Sequence, residues 1–134
     1  MAMTHVLVID DDRSVSIAIE ALLLNQDCSV VLAGSGEIAK SFKNSHFDVL
    51  MVDIVMPGMD GFETIKVFRK RTPGVPIIAM SGFRFSDSTS AAPDFLRMAS
   101  KLGASYCLRK PFTPLQLMTA INSCLEESPK AVRA

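Results

Sequence analysis

Apolar residues along this chain fall into two alternating patterns. Five short apolar runs recur: HVLVI (5–9), SVVLA (29–33), DVLMV (48–52), PIIAM (76–80) and SYCL (105–108). Four are continuous rather than alternating, as suits strands covered on both faces. Between them, apolar residues repeat at helical spacing. Val15, Ile19, Leu22 and Leu23 predict a helix over about 13–26, with Asp12 as its N-cap. Ile38, Ala39 and Phe42 predict a second over about 36–44, after the turn at Ser35-Gly36. Phe62, Ile65 and Phe68 mark a third, opened by Asp60 or Gly61 and stopped by Thr72-Pro73-Gly74. Phe95, Ala99 and Leu102 mark a fourth that Gly103 ends. Thr113 before Pro114 is an N-cap with proline at the first helical position, opening a fifth helix through Leu117, Ile121 and Leu125.

The order is β-α repeated five times. It predicts an α/β fold: a doubly wound parallel sheet with right-handed crossovers. Five strands with short connections suit the flavodoxin-like (βα)5 strand order 2-1-3-4-5, in which ligands gather at the carboxyl ends of the strands. The domain is expected to span 1–127, with SPKAVRA (128–134) as a short polar tail. One connection is long: GFRFSDSTSAAPD (82–94) separates strand four from helix four. Loops of that length are either functional or tolerated surface insertions.

Composition narrows the field without redirecting it. The 134 residues suit one domain, and 14 basic residues balance 14 acidic ones. No overall field points to nucleic acid or to an anionic membrane as partner. The three cysteines, Cys28, Cys107 and Cys124, are widely separated and form no CxxC pair, as expected of core thiols in a reducing cytosol. MAMTHVLVIDDD lacks the pattern of a signal peptide, and no apolar run approaches membrane-spanning length. A cytoplasmic location is expected. His5 and His46 are isolated, and the eight methionines are scattered as core fillers.

Chemistry collects at the strand ends. Strand one ends in Asp10-Asp11-Asp12, strand three in Asp53, strand four in Ser81, and strand five leads to Lys110-Pro111. Each residue alone has an ordinary use in a turn, cap or solvated surface. Together they sit on neighbouring strands of the predicted order. Carboxylates so placed repel unless a cation joins them, and an all-oxygen set suits Mg²⁺. A hydroxyl and an ammonium beside such an ion suit the remaining oxygens of a phosphoryl group.

VLVIDDD, DVLMVDIVMPGMDGFE, MSG and LRKPF, taken in that order, resemble the motif segments of response-regulator receiver domains of two-component signalling, over about residues 5–127. The resemblance implies a signalling domain, not an enzyme with turnover. It implies Asp53 as phosphoacceptor from a histidine kinase or histidine phosphotransfer protein. Mg²⁺ would be held by Asp10, Asp11, Asp53 and the backbone carbonyl of Val55. Lys110 and Ser81 would bind phosphoryl oxygens, the Lys110–Pro111 bond would be cis, and the strand-four, helix-four and strand-five surface would switch. Asp12 remains a helix cap. Gly58 and Gly61 are expected to supply permissive backbone angles after Pro57.

In that family an aromatic residue usually lies three positions before the lysine. Here that position is Cys107, and Tyr106, the only tyrosine, falls one residue earlier on the opposite strand face. The 82–94 connection is therefore the expected carrier of the response. Three other readings compete. A phosphatase with an aspartyl-phosphate intermediate would resemble D-x-D-x-T, but Ser14 follows the acids and no cap domain fits. A flavin module would need hydroxyls and amides where three aspartates stand. A purely protein-binding receiver would not need the full set Asp10, Asp11, Asp53, Ser81 and Lys110.

Overall fold

A computed structural model of the chain describes residues 3–42, 46–54, 61–81 and 91–127. The elements, in chain order, are β1 (Thr4–Ile9), α1 (Arg13–Leu23), β2 (Cys28–Ala33), α2 (Gly36–Lys40), β3 (Val49–Asp53), α3 (Gly61–Arg71), β4 (Ile77–Ser81), α4 (Ala91–Leu102), β5 (Tyr106–Arg109) and α5 (Pro114–Glu127). The five strands form one parallel sheet in the order β2-β1-β3-β4-β5, the flavodoxin-like arrangement expected from the alternation.

Residues on the two faces of the sheet feed two core layers. Leu7, Ile9, Leu50, Val52, Ile77 and Ala79 pack with Ala39, Ile65, Phe68 and Ala99 of α2, α3 and α4. Val6, Val8, Met51, Ile78 and Met80 pack with Ile19 and Leu23 of α1 and with Leu117, Ile121 and Cys124 of α5. The central strands β3 and β4 are buried along their whole length, which is why their sequences run apolar without alternation.

Several element ends depart from the sequence-based expectations, each for a local reason. The strands β3 and β4 run one residue further than their apolar runs, so Asp53 and Ser81 are strand residues and not loop residues. Helix α1 stops at Leu23, and Asp27 adopts a left-handed φ of 56° before β2 begins. Its buried face is Ser16, Ile19 and Leu23, while Val15 and Leu22 are only half-buried. Helix α2 closes at Lys40, where the Ser41 hydroxyl donates to the Ile38 carbonyl. Helix α4 begins at Ala91, so 91–94 belong to it and not to the preceding connection. The remainder of that connection, 82–90, and the tail 128–134 lie outside the described residues.

At the amino-terminal ends of the strands a single side chain ties two connections together, α3–β4 and α4–β5. Arg69 donates to the carbonyls of Pro73 (2.8 Å), Val75 (3.1 Å) and Gly103 (2.8 Å). Gly103 has a φ of 125°, and a Cβ there would also meet Arg69 Nε at 2.8 Å. Glycine is required at that turn on both counts. Burial lowers the pKa of the guanidinium, which nevertheless stays charged.

Candidate functional site

The carboxyl ends of β1, β3, β4 and β5 form the floor of the site. Asp10 follows β1, and its N–H donates to the carbonyl of Ala33 at the end of β2 (3.0 Å). Its two carboxylate oxygens have separate tasks. Oδ1 accepts the Asp12 N–H at 2.9 Å, folding the acidic turn back on itself, and Oδ2 accepts Lys110 Nζ at 2.7 Å. Asp53 ends β3, and its Oδ2 lies 3.5 Å from the same ammonium. Asp10 and Asp53 are 2% and 5% exposed, so both charges are held inside the fold. Asp11 is exposed, yet one carboxylate oxygen each from Asp10, Asp11 and Asp53 lie within 4.8 Å of one another.

Three carboxylates thus cluster beside one ammonium that meets two of them. Buried like charges at this spacing are unfavourable without further positive charge. Oxygen-only donors, two fixed and one at the surface, suit a hard dication that keeps part of its water shell. The donor set fits Mg²⁺, with Asp10, Asp11 and Asp53 as the described side chains able to hold it. The expected fourth group, the carbonyl of Val55, lies outside the described residues, as do Pro57, Gly58 and Asp60.

Ser81 ends β4, one residue beyond Met80, the register partner of Asp53. Its hydroxyl is fully buried and has no hydrogen-bond partner among the described residues. An unpaired buried hydroxyl forgoes about 1–3 kcal/mol of solvation. Of the expected residues, then, Lys110 meets Asp10 and Asp53, Asp11 completes the acidic cluster, and the Ser81 hydroxyl stands on the same strand ends without bonding to any of them. The Lys110–Pro111 bond is cis.

Gly61 serves the site in a way the sequence did not disclose. It opens α3, and a Cβ there would collide with the carbonyl oxygen of Asp53 and the Cα of Ile54. Close approach of α3 to the end of β3, and not a left-handed φ, makes glycine necessary. Asp12 is the N-cap of α1, accepting from the Ser14 N–H (3.0 Å) and hydroxyl (2.6 Å). The Ser14 hydroxyl, then the backbone amides, hold its pKa below the ordinary carboxylate value.

Beside the acids, Val15, Ala18, Ile19 and Leu22 of α1 face Phe112 across an apolar groove of about 490 Å³, with Asp12 and Lys110 at its mouth. In the sequence Val15 and Leu22 read as core, because helical spacing alone does not tell a core stripe from a groove wall. Cys107 is half-buried against the α2–α3–α4 layer, whereas Tyr106 is exposed, as the strand alternation requires. Burial raises the Cys107 pKa, and a hydrogen bond with Ser100 opposes that shift.

Comparison with known proteins follows the same lines. Residues 6–122 match the family described as the response regulator receiver domain. The response regulator SaeR of Staphylococcus aureus is 27% identical over 128 residues, covering 96% of this chain and 53% of SaeR. The chain therefore spans about half the length of the curated relatives it matches. A CheY-like receiver domain protein from Methanospirillum hungatei superimposes with a TM-score of 0.84 at 23% identity, covering 96% of this chain and 98% of that one. The Vibrio cholerae chemotaxis protein CheY4 superimposes at 0.79 with 28% identity, covering 92% and 99%.

Proposed function

Because this chain belongs to the response regulator receiver domain family, we propose that it takes a phosphoryl group onto Asp53 from a phosphohistidine of a histidine kinase or phosphotransfer protein. The observation that carries the proposal is the convergence of Asp10, Asp11 and Asp53 around Lys110 at the strand ends. A carboxylate oxygen of Asp53 forms the new O–P bond as the P–N bond to the donor imidazole breaks. The imidazole, protonated on its other nitrogen, leaves with the electron pair and so ends as the neutral ring. Mg²⁺ bound by Asp10, Asp11, Asp53 and the Val55 carbonyl would supply positive charge to the phosphoryl oxygens. Lys110 stands 3.5 Å from Asp53 and would exchange its carboxylate contacts for a phosphoryl oxygen.

Ser81 supplies the response. Its unpaired hydroxyl gains a partner once a phosphoryl oxygen arrives, which draws the end of β4 toward Asp53. The surface of β4, α4 and β5 would then present itself differently to a downstream protein. Exposed Met98 and Tyr106 already lie on that surface. The groove between α1 and Phe112 offers the histidine-bearing donor an apolar seat beside the acids. A cytoplasmic location fits this partner class, and no helix among the described residues is long and apolar enough to cross a membrane.

Incubation with acetyl phosphate and Mg²⁺, read by intact mass, tests the proposal. One added phosphoryl group is expected on the wild-type chain and none on Asp53→Asn. Persistence of the adduct in Asp53→Asn, or its absence from the wild type under conditions that load other receivers, overturns the reading.

A further inference from the structure

The sheet divides the charge of this chain, although basic and acidic residues balance overall. Helices α1 and α5, on one face, carry one basic residue against three acidic ones. Helices α3 and α4, on the other, carry six basic residues against two acidic ones. Arg69 turns inward to backbone carbonyls, one of them at Gly103, and that bond sets the carboxyl ends of α3 and α4 level. Lys66 and Lys70 of α3 therefore stand at the heights of Arg97 and Lys101 of α4. All four are exposed, and among the described residues none of them forms an ion pair.

Helix stability does not account for this arrangement. Each helix places like charges at i and i+4, where they repel. Lys70 and Lys101 lie in last turns, where the helix dipole favours cations, but Lys66 and Arg97 lie outside those turns. The surface beside these bases is apolar. Val67 and Leu102 line an open groove of about 430 Å³ with Lys66, Arg69 and Lys70, and Glu63 lines it toward the amino end of α3. Met98, one turn before Leu102 on the same flank of α4, is 50% exposed.

We infer that the α3–α4 face binds an acidic amphipathic helix of a partner protein. Packed helices lie about 8–10 Å apart. The two basic rows are therefore separated by close to the width of one further helix, about 10–12 Å. Such a helix sets apolar residues against Met98 and Leu102, and carboxylates on its two flanks toward the two rows. Charge complementarity and the apolar floor together select this occupant. A nucleic acid would bring phosphates onto the apolar floor and toward the carboxylate of Glu63. The face lies across the sheet from α1 and Phe112, so its occupancy leaves the groove beside the acids open. The inference does not depend on phosphotransfer to Asp53.

Amide-shift titration of the isotope-labelled 134-residue chain tests the inference. The probe is a synthetic helical peptide with glutamates on both flanks of a leucine stripe. A scrambled peptide of the same composition, duplex DNA and phosphatidylserine vesicles are the comparisons. At about 50 mM salt, where surface charges are weakly screened, saturable binding of the periodic peptide is expected. It should be at least about tenfold tighter than binding of the scrambled one, with shifts gathered in 62–71 and 97–103. Lys66→Gln combined with Arg97→Gln removes both like-charge pairs and adds no charge. The double variant should bind the peptide about fivefold more weakly while its circular dichroism melt stays unchanged. No binding, equal affinity for the scrambled peptide, tighter binding of DNA or vesicles, shifts centred elsewhere, or full affinity in the double variant overturns it.

Discussion

Two part-buried cations stand at opposite ends of the sheet, and their surroundings could hardly differ more. Arg69, beneath the amino-terminal ends of β4 and β5, is met by three backbone carbonyls from two connections. Lys110, at the carboxyl ends, is met by the carboxylates of Asp10 and Asp53, with Asp11 nearby. Neutral dipoles around a guanidinium leave its buried Nε without a partner among the described residues, but they bring no excess charge to be balanced. Three negative charges clustered beside one ammonium make an open arrangement that a dication can complete. Stability therefore rests more on the first cation, and chemistry on the second.

Replacing each cation should separate those roles. The largest loss is expected for Arg69→Ala, about 3 kcal/mol in urea unfolding, since three charge-assisted hydrogen bonds vanish together. The variant should still accept one phosphoryl group on Asp53 wherever it is folded. Arg69→Lys should recover little, because an ammonium cannot span three carbonyls as a planar fork does.

Lys110→Ala should cost about 2 kcal/mol by leaving Asp10 and Asp53 to repel each other inside the fold. Unlike the Arg69 loss, most of it should return on adding Mg²⁺, which binds the folded state alone. A Lys110→Ala deficit indifferent to Mg²⁺ would erase the distinction between the two cations.

Asp12→Ala should weaken the chain less, through loss of the α1 cap, and should leave the Mg²⁺ response intact. The folded pKa of Asp12 lies below its ordinary value, so its contribution is complete above that value and fades as pH falls through the lowered one. Unfolding curves of wild type and variant should converge on acidification below about pH 4. Ser81→Ala is the smallest change in stability, within about 1 kcal/mol of wild type, because the hydroxyl has no bond to lose. Its effect should appear instead after phosphorylation, as reduced protection of β4 amides from hydrogen exchange.

Much of this was legible in the chain because it depends on period and order. Continuous apolar runs alternating with helical stripes specify a parallel sheet, and the strand order brings Asp10, Asp53 and Lys110 together. What escaped depends on approach in space. Arg69 reads as one of three basic residues ending α3, and only the fold shows that it turns inward while Lys70 stays in solvent. Gly61 reads as a turn glycine, but its reason is the backbone of Asp53 and Ile54 pressed against it. Ser16 was unremarkable beside Val15, yet rotation of α1 about its axis buries the serine and leaves the valine on a groove.

The N–H of Lys110 donates to the carbonyl of Ser81 at 2.8 Å. The residue expected to clamp a phosphoryl oxygen and the residue expected to move toward it are therefore neighbouring links on one rigid ladder. A pull on either is delivered to β4 and β5 jointly, so the ends of both strands travel as one piece. Under the proposed function, a message read on the β5 side would not have to wait for a side chain to swing, because the strand itself would carry it.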